Sequence, residues 1–165
     1  MTKTDNAREE LNQYLTFILD GEEYGVPILK VNGIQGYEKT TPIPNSPGYV
    51  LGIINLRGEV VPIIDLRKRF GLKTIPYDSH TVVIVVRLEQ EDKKRTIGLV
   101  VDAVADVYDI KKEHVHNTPD FGGKISDDFV QGLGMINDKL VILLEIDNLI
   151  DWKRIHERDE AKQAA

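Results

Sequence analysis

The residues able to do chemistry are few in this chain, and they are not arranged as a catalytic set. Four histidines occur: His80, His114, His116 and His156. His114 and His116, in "HVH", have the spacing that sets two imidazoles on one face of a strand, which is half of a metal site. The competing reading is a solvated loop, because "IKKEHVHNTP" is polar and ends at a proline. Cysteine is absent, which excludes a thiol nucleophile, thiolate metal ligation and a disulfide framework. The phosphate-cradling G-x-x-x-x-G-K-[ST], the dinucleotide fingerprint G-x-G-x-x-G and the nucleophile elbow G-x-S-x-G are all missing. A D-x-[DN]-x-[DN]-G calcium loop is missing too. The acidic clusters "EEY", "EQED", "SDD" and "ERDE" fall in turns or in the tail and read as solvated surface. The sequence therefore points to binding rather than catalysis, with no cofactor.

The conspicuous charge is Arg57, inside "GIINLRGEVVPIIDL" (52–66), with Ile53-Ile54 before it and Val60-Val61-Pro62-Ile63-Ile64 after it. An internal repeat places it. "VLGIINLRGEVVPIIDL" (50–66) aligns without gaps on "VQGLGMINDKLVILLEI" (130–146). "YGVPILKVNGI" (24–34) aligns on "IGLVVDAVADV" (97–107), and "LTFIL" and "VVIVV" stand as the first strand of each half. Arg57-Gly58 falls opposite Asn137-Asp138, and both pairs suit a tight hairpin turn. Arg57 is thus expected at a chain reversal, facing solvent or a partner. Pro62 lacks an N–H, so its strand is expected to be an edge there or to carry a bulge.

The elements that position this tip are short runs rich in Val, Ile, Phe and Tyr, separated by Gly, Pro and Asp, a pattern of an all-β sandwich or barrel. "GEE" after Asp20 is a turn between two of them. The prolines Pro42, Pro44 and Pro47 read as a rigid connector rather than a polyproline ligand. "DLRKRFG" offers a short helix with Asp65 as N-cap, a Leu66/Phe70 pair and Gly71 just past its end. A C-terminal helix is expected from Asp147 as cap, with Ile146, Leu149 and Ile150 as its apolar stripe, extended by Trp152 and Ile155. Val31 and Ile34 are three apart, as are Val104 and Val107. Helical spacing would put each pair on one side, and core is their expected place.

At 165 residues the chain is long enough for one domain or two small packed lobes, able to bury roughly 70% of its extended surface. Its formal charge of −6 argues against nucleic acid or anionic lipid as the main partner. The polar start "MTKTDNAREELNQ" carries no signal-peptide pattern, and no apolar run reaches a membrane-spanning length.

"EEYGVPILKVNGIQGYE", "NLRGEVVPIIDLRKRFG", "TVVIVV", "IGLVVDAVADV" and "GLGMINDKLVILLEIDNLI" together resemble the CheW-like chemotaxis coupling proteins. The resemblance runs from about Tyr14 to Ile150. It implies a mainly β fold of two SH3-like, five-stranded β-barrel lobes around a shared core. The expected organisation is a lead over 1–12, one domain over 13–150 and a tail over 151–165. Lobe one would span about 21–75 and lobe two about 76–150, with the owner of the first strand left open.

The resemblance also implies a non-catalytic cytoplasmic adaptor. Its expected partners are the regulatory domain of a CheA-type histidine kinase, the cytoplasmic tip of methyl-accepting chemoreceptors, and other coupling proteins in an array. Neither nucleic acid nor membrane insertion is expected. The alternative is an SH3-like barrel module that binds nucleic acid or another ligand. Partner-binding residues carried over are Arg57, Val31, Gly33, Ile34, Asn55, Leu56 and Gly58. Gly33 departs from the pattern, since many members carry a glutamate there that pairs with the arginine. Glu38 or Glu59 would have to substitute, or Arg57 meets an acid on a partner.

Overall fold

The computed structural model of the protein describes residues 12–90, 93–117 and 127–150. Its eleven described strands are β1 Gln13–Leu19, β2 Glu22–Pro27, β3 Val31–Gly36, β4 Val50–Leu56, β5 Glu59–Asp65, β6 Val82–Gln90, β7 Lys93–Val101, β8 Ala103–Asp109, β9 Val115–His116, β10 Val130–Ile136 and β11 Lys139–Leu144. One α-helical turn, α1, covers Leu66–Arg69. The strands form two sheets, ordered β3-β6-β7-β5-β4 and β8-β1-β2-β11-β10-β9.

Neither sheet is contiguous along the chain. The hairpin β1–β2 sits beside β8 and β11, while the hairpin β6–β7 sits between β3 and β5. The halves have exchanged whole hairpins, so the boundaries 21–75 and 76–150 do not delimit the lobes. The exchange is symmetric in register. β5 runs parallel to β7 with Ile63 opposite Gly98, and β11 runs parallel to β2 with Leu143 opposite Gly25. Both glycines sit where a side chain would collide with the neighbour: a methyl on Gly98 would lie 2.5 Å from Ile63 Cδ1.

The repeat found in the sequence is exact at the hairpins. Val50 faces Ile64, Gly52 faces Ile63 and Leu56 faces Glu59. Val130 faces Leu144, Gly132 faces Leu143 and Ile136 faces Lys139. Both ladders shift register at the same step. The second sheet has six strands rather than five, because His116 and Val115 pair with Leu133 and Gly134. In the first sheet the corresponding contact is the single bridge Thr41–Ile53, too short to count as a strand. So "HVH" is not a free loop: its second histidine is held in a sheet.

Alternation within the exchanged hairpins explains their unbroken apolar runs. Ile84, Val86 and Leu88 face a central cluster that also takes Phe17, Leu19 and Tyr24. Val83 and Val85 face a smaller cluster with Val61 and Ile63 inside the first lobe. Tyr14, Ile110, Val141 and Leu143 fill the second lobe. A strand buried on both faces loses the polar-out alternation of a surface strand. Each fully buried Leu or Ile contributes about 1.5–3 kcal/mol, so the shared cluster binds the lobes as firmly as it fills them.

Local expectations divide. Asp65 caps α1 by accepting from the Lys68 amide at 3.3 Å, and Gly71 follows with φ +72°. Asp20-Gly21 turn the first hairpin with φ +52° and +77°. Pro62 lies opposite Ile53, and the β5–β7 ladder starts only at Ile63. The strand is interior, yet free of a neighbour on that side at the proline. The helix expected from Asp147 does not start there: Ile146–Asn148 is one 3₁₀ turn with Glu145 at its N-cap and no side-chain cap. Asp147 instead accepts from Lys30 Nζ at 3.0 Å and from the Glu89 amide at 3.2 Å. Leu149 and Ile150 are not helical either, but both are buried in the central cluster; the expected extension through Trp152 and Ile155 lies outside the described residues, as do residues 1–11 of the lead and the tail 151–165.

Candidate functional site

The tip of β4–β5 is a two-residue reversal in which both central residues have positive φ, Arg57 at +54° and Gly58 at +86°. That is a type I′ turn, whose twist matches the flanking strands. Asn55 stabilises it by accepting the Gly58 amide on Oδ1 at 2.8 Å. The corresponding tip in lobe two, Asn137 at +48° and Asp138 at +65°, has the same form. Asn and Asp adopt this region readily, but Arg does so at a cost of roughly 1–2 kcal/mol. Arg57 therefore occupies a position where the backbone alone favours another residue.

Beside the tip lies a half-open depression of about 400 Å³. Leu56, Arg57 and Glu59 line it from the hairpin, Gly33 and Ile34 from β3, and Arg87 from β6. Asn32, Gln35 and Thr96 add neutral polar groups. Four of the residues expected at the site, Gly33, Ile34, Leu56 and Arg57, thus meet in one place. Asn55 and Gly58 shape the turn without lining the depression. Val31 goes elsewhere: β3 is extended, its burial alternates, and Val31 packs on the central core. Helical spacing is therefore the wrong period for Val31 and Ile34. Ile34 is 46% exposed, and Val104 and Val107 are exposed too, so these three are not core.

The register of β3 against β6 shifts between Val31 and Gly33, and a methyl at Gly33 would meet nothing within 4 Å. Glu59 shares the depression, and Glu38 is exposed. Among the described residues, Arg57 forms no hydrogen bond or ion pair with either.

The comparisons with known proteins agree with this architecture. The CheW-like domain is matched over residues 13–154. The chain belongs to the CheW-like family. A chemotaxis protein CheW of Klebsiella aerogenes is 41% identical over 84% of this chain and 81% of its own length. One of Rhizobium meliloti is 35% identical over 88% and 89%. Among solved structures, the scaffolding protein TtCheW of Thermoanaerobacter tengcongensis superposes with a TM-score of 0.76, at 34% identity, over 85% of this chain and 92% of that one. As a CheW-like protein the chain is a coupling adaptor of chemotaxis signalling, and its family is a non-catalytic scaffold. The alternative of a nucleic-acid-binding barrel is not favoured. Among the described residues no helix is long and apolar enough to cross a membrane, and no three metal-ligating side chains cluster.

Charged clasps hold the CheW-like lobes together, and sequence reading missed them. Arg67, 8% exposed, forks onto Asp102, with Nε to Oδ1 at 2.8 Å and Nη2 to Oδ2 at 2.6 Å. Its Nη1 donates to the Lys73 carbonyl at 2.7 Å, and Asp20 lies 3.5 Å away. Burial pushes the Asp102 carboxyl up, but the Arg67 fork and the Asp20 amide outweigh it and hold it below the usual carboxylate range. At the repeat-related place, Asp147 pairs with Lys30, with the charges reversed. Arg69 lies between the rings of Tyr49 and Phe129, 4.3 and 4.5 Å from their centroids. Those two aromatics are themselves repeat equivalents. Sequence signals for these clasps were weak, because each side chain reads as an ordinary surface charge until the exchanged hairpins bring it to the seam.

Proposed function

We propose that this chain joins the cytoplasmic tips of methyl-accepting chemoreceptors to the regulatory domain of a CheA-type histidine kinase, acting in the cytoplasm as an adaptor without a cofactor. The observation that carries the reading is a family match spanning both lobes together with an arginine held at a hairpin tip, open to a partner. A charge kept in a conformation that disfavours it is better explained by binding than by folding.

Two surfaces supply the two contacts. The tip of the first lobe, with Arg57, Leu56 and Ile34, offers a charge beside apolar area for the kinase domain. The seam between lobes offers apolar area for a receptor helical hairpin. Leu29, 56% exposed, stands on the 3₁₀ turn Ile28–Lys30 that carries the chain from one sheet to the other. Helix-in-groove recognition needs such an apolar floor with polar rims. Contacts between coupling proteins in an array would use what these two surfaces leave free. Signal transfer is then a shift in packing or population rather than a chemical step.

Titration calorimetry of the chain against kinase regulatory domain and against receptor tip tests the proposal. Binding to both is expected. Arg57→Ala should weaken kinase-domain binding while changing unfolding free energy by less than about 0.5 kcal/mol, as exposed positions do. Binding to neither partner would end the reading.

A further inference from the structure

The two lobes carry the same corner, bounded by the β4–β5 or β10–β11 tip, by β3 or β8, and by the exchanged hairpin, but they fill it with different chemistry. In lobe two the corner is closed from within. Glu23 of β2 is 4% exposed, and its carboxylate is met by Lys139 Nζ from the hairpin tip. Asp106 of β8 stands on the wall, its Oδ1 accepting the Val107 amide at 2.8 Å. The fold thus shows one way of pairing a carboxylate at this place: a cation reaches over from the tip as an ion pair, with Glu23 Oε1 left without a hydrogen bond among the described residues.

In lobe one every term of that arrangement changes. By the register, Thr96 takes the place of Glu23, Glu59 that of Lys139, and Gly33 that of Asp106. Arg57 stands where lobe two has Asn137, and Arg87 where it has Ile18. Two internal carboxylates are gone and two guanidiniums have arrived. Both arginines line the depression with a single acid, Glu59. Among the described residues neither arginine has a hydrogen bond or ion pair. The place beside Gly33 is open. At about 400 Å³ the depression admits the end of a side chain but not a helix.

From this we infer that the lobe-one corner is a receptor for one Asp or Glu side chain of the bound protein, gripped between Arg57 and Arg87 and supported by Gln35, Asn32 and Thr96. It rests on the adaptor reading only for the identity of that protein. A guanidinium grips a carboxylate through two parallel N–H donors, and two of them offset the repulsion from Glu59. Lobe two cannot do the same, because its corner already holds its own acid. The chain therefore has one such site, not two.

The experiment has two arms. In the first, Gly33→Glu places a carboxyl beside the arginines, and its titration is followed by carbon-detected NMR. It should titrate one unit or more below the usual glutamate range, as an acid beside arginine does. Adding Arg57→Ala and Arg87→Ala should restore the usual value. In the second, kinase regulatory domain and receptor tip are titrated against the wild-type chain and variants. Arg57→Ala, Arg87→Ala and Gly33→Glu should each weaken binding of the kinase regulatory domain about tenfold, leaving the receptor tip unaffected, and the differences should shrink near 1 M salt, where screening reaches about 3 Å.

An ordinary titration of the introduced carboxyl overturns the inference. So does unchanged affinity of the Arg57→Ala/Arg87→Ala double variant for the kinase regulatory domain that the wild type binds. If the wild-type chain binds neither partner, the adaptor reading falls, and the first arm still decides whether the corner is a carboxylate site. Saturable binding of inorganic phosphate with partner affinity unaffected by the variants would make the corner an oxyanion site and overturn the protein source.

Discussion

Arg57→Asn should make the protein more stable and less able to bind. Arg57 holds φ at +54° as the first central residue of a type I′ turn. For an ordinary L-residue the left-handed region costs roughly 1–2 kcal/mol, whereas Asn adopts it readily, and Asn-Gly is the preferred pair for this turn. Lobe two already uses Asn137 there at +48°. The turn's internal bond, Gly58 amide to Asn55 Oδ1, does not involve the arginine side chain and survives. Among the described residues no ion pair is lost. The expected gain is about 1 kcal/mol, which for a chain of this size raises Tm by about 2–4 °C. Thermal unfolding followed by circular dichroism measures it. Arg57→Ala is the control, since alanine keeps the unfavourable φ and should leave Tm nearly unchanged, while both variants weaken partner binding. A Tm that falls in Arg57→Asn, or rises equally in Arg57→Ala, would refute the claim that the backbone opposes this residue.

The other predictions concern the framework. Asp102→Asn leaves the buried Arg67 guanidinium with only the weaker pull of Asp20 and Asp65, and should cost about 2 kcal/mol, below the 3–5 kcal/mol of a fully buried pair because Asp102 is partly exposed. Because the folded state holds the Asp102 carboxyl low, its stabilisation is fully present above pH ~4 and is lost as pH falls toward the lowered value. Asp102→Asn should flatten that acid limb in urea denaturation at several pH values. Gly98→Ala drives a methyl into Ile63 and Val83 at 2.5 and 2.7 Å, while Gly25→Ala meets Leu143 and Val141 at 3.1 and 3.3 Å. Overpacking costs about 1–3 kcal/mol, so denaturant midpoints should fall for both and further for Gly98→Ala.

The repeat made the hairpins legible. Ungapped alignment of 50–66 on 130–146 anticipated two tips and the positions of Arg57 and Asn137, but not the two register shifts. The same repeat pointed to two similar lobes, and resemblance supplied their SH3-like topology. The sequence leaves exchange of the first strand open, but exchange of whole hairpins was not legible, for a physical reason visible in Gly25 and Gly98. Each stands in the same context and faces an equivalent apolar residue, Leu143 or Ile63, so either strand satisfies either neighbour on pattern alone. Arg87 escaped notice because it follows an apolar run and reads as the start of a charged loop. Ile34 was misplaced by the wrong period: helical spacing joined it to Val31, yet in the extended strand Val31 packs on the core while Ile34 is exposed.

The reciprocal placement of the two hairpins also governs when the protein can form during synthesis. β1–β2 needs β11 beside it, and that strand is made near the end of the chain. At roughly 5–20 residues per second, the first hairpin waits on the order of ten seconds for its neighbour. During that interval Phe17, Leu19, Tyr24 and Val26, all buried in the finished core, have no final cover. The second hairpin has no such wait, because β3, β4 and β5 precede it on the chain. Ribosome-bound intermediates of this protein should therefore complete the five-stranded sheet first and hold the N-terminal hairpin as an unpaired, adhesive segment until the last strand arrives.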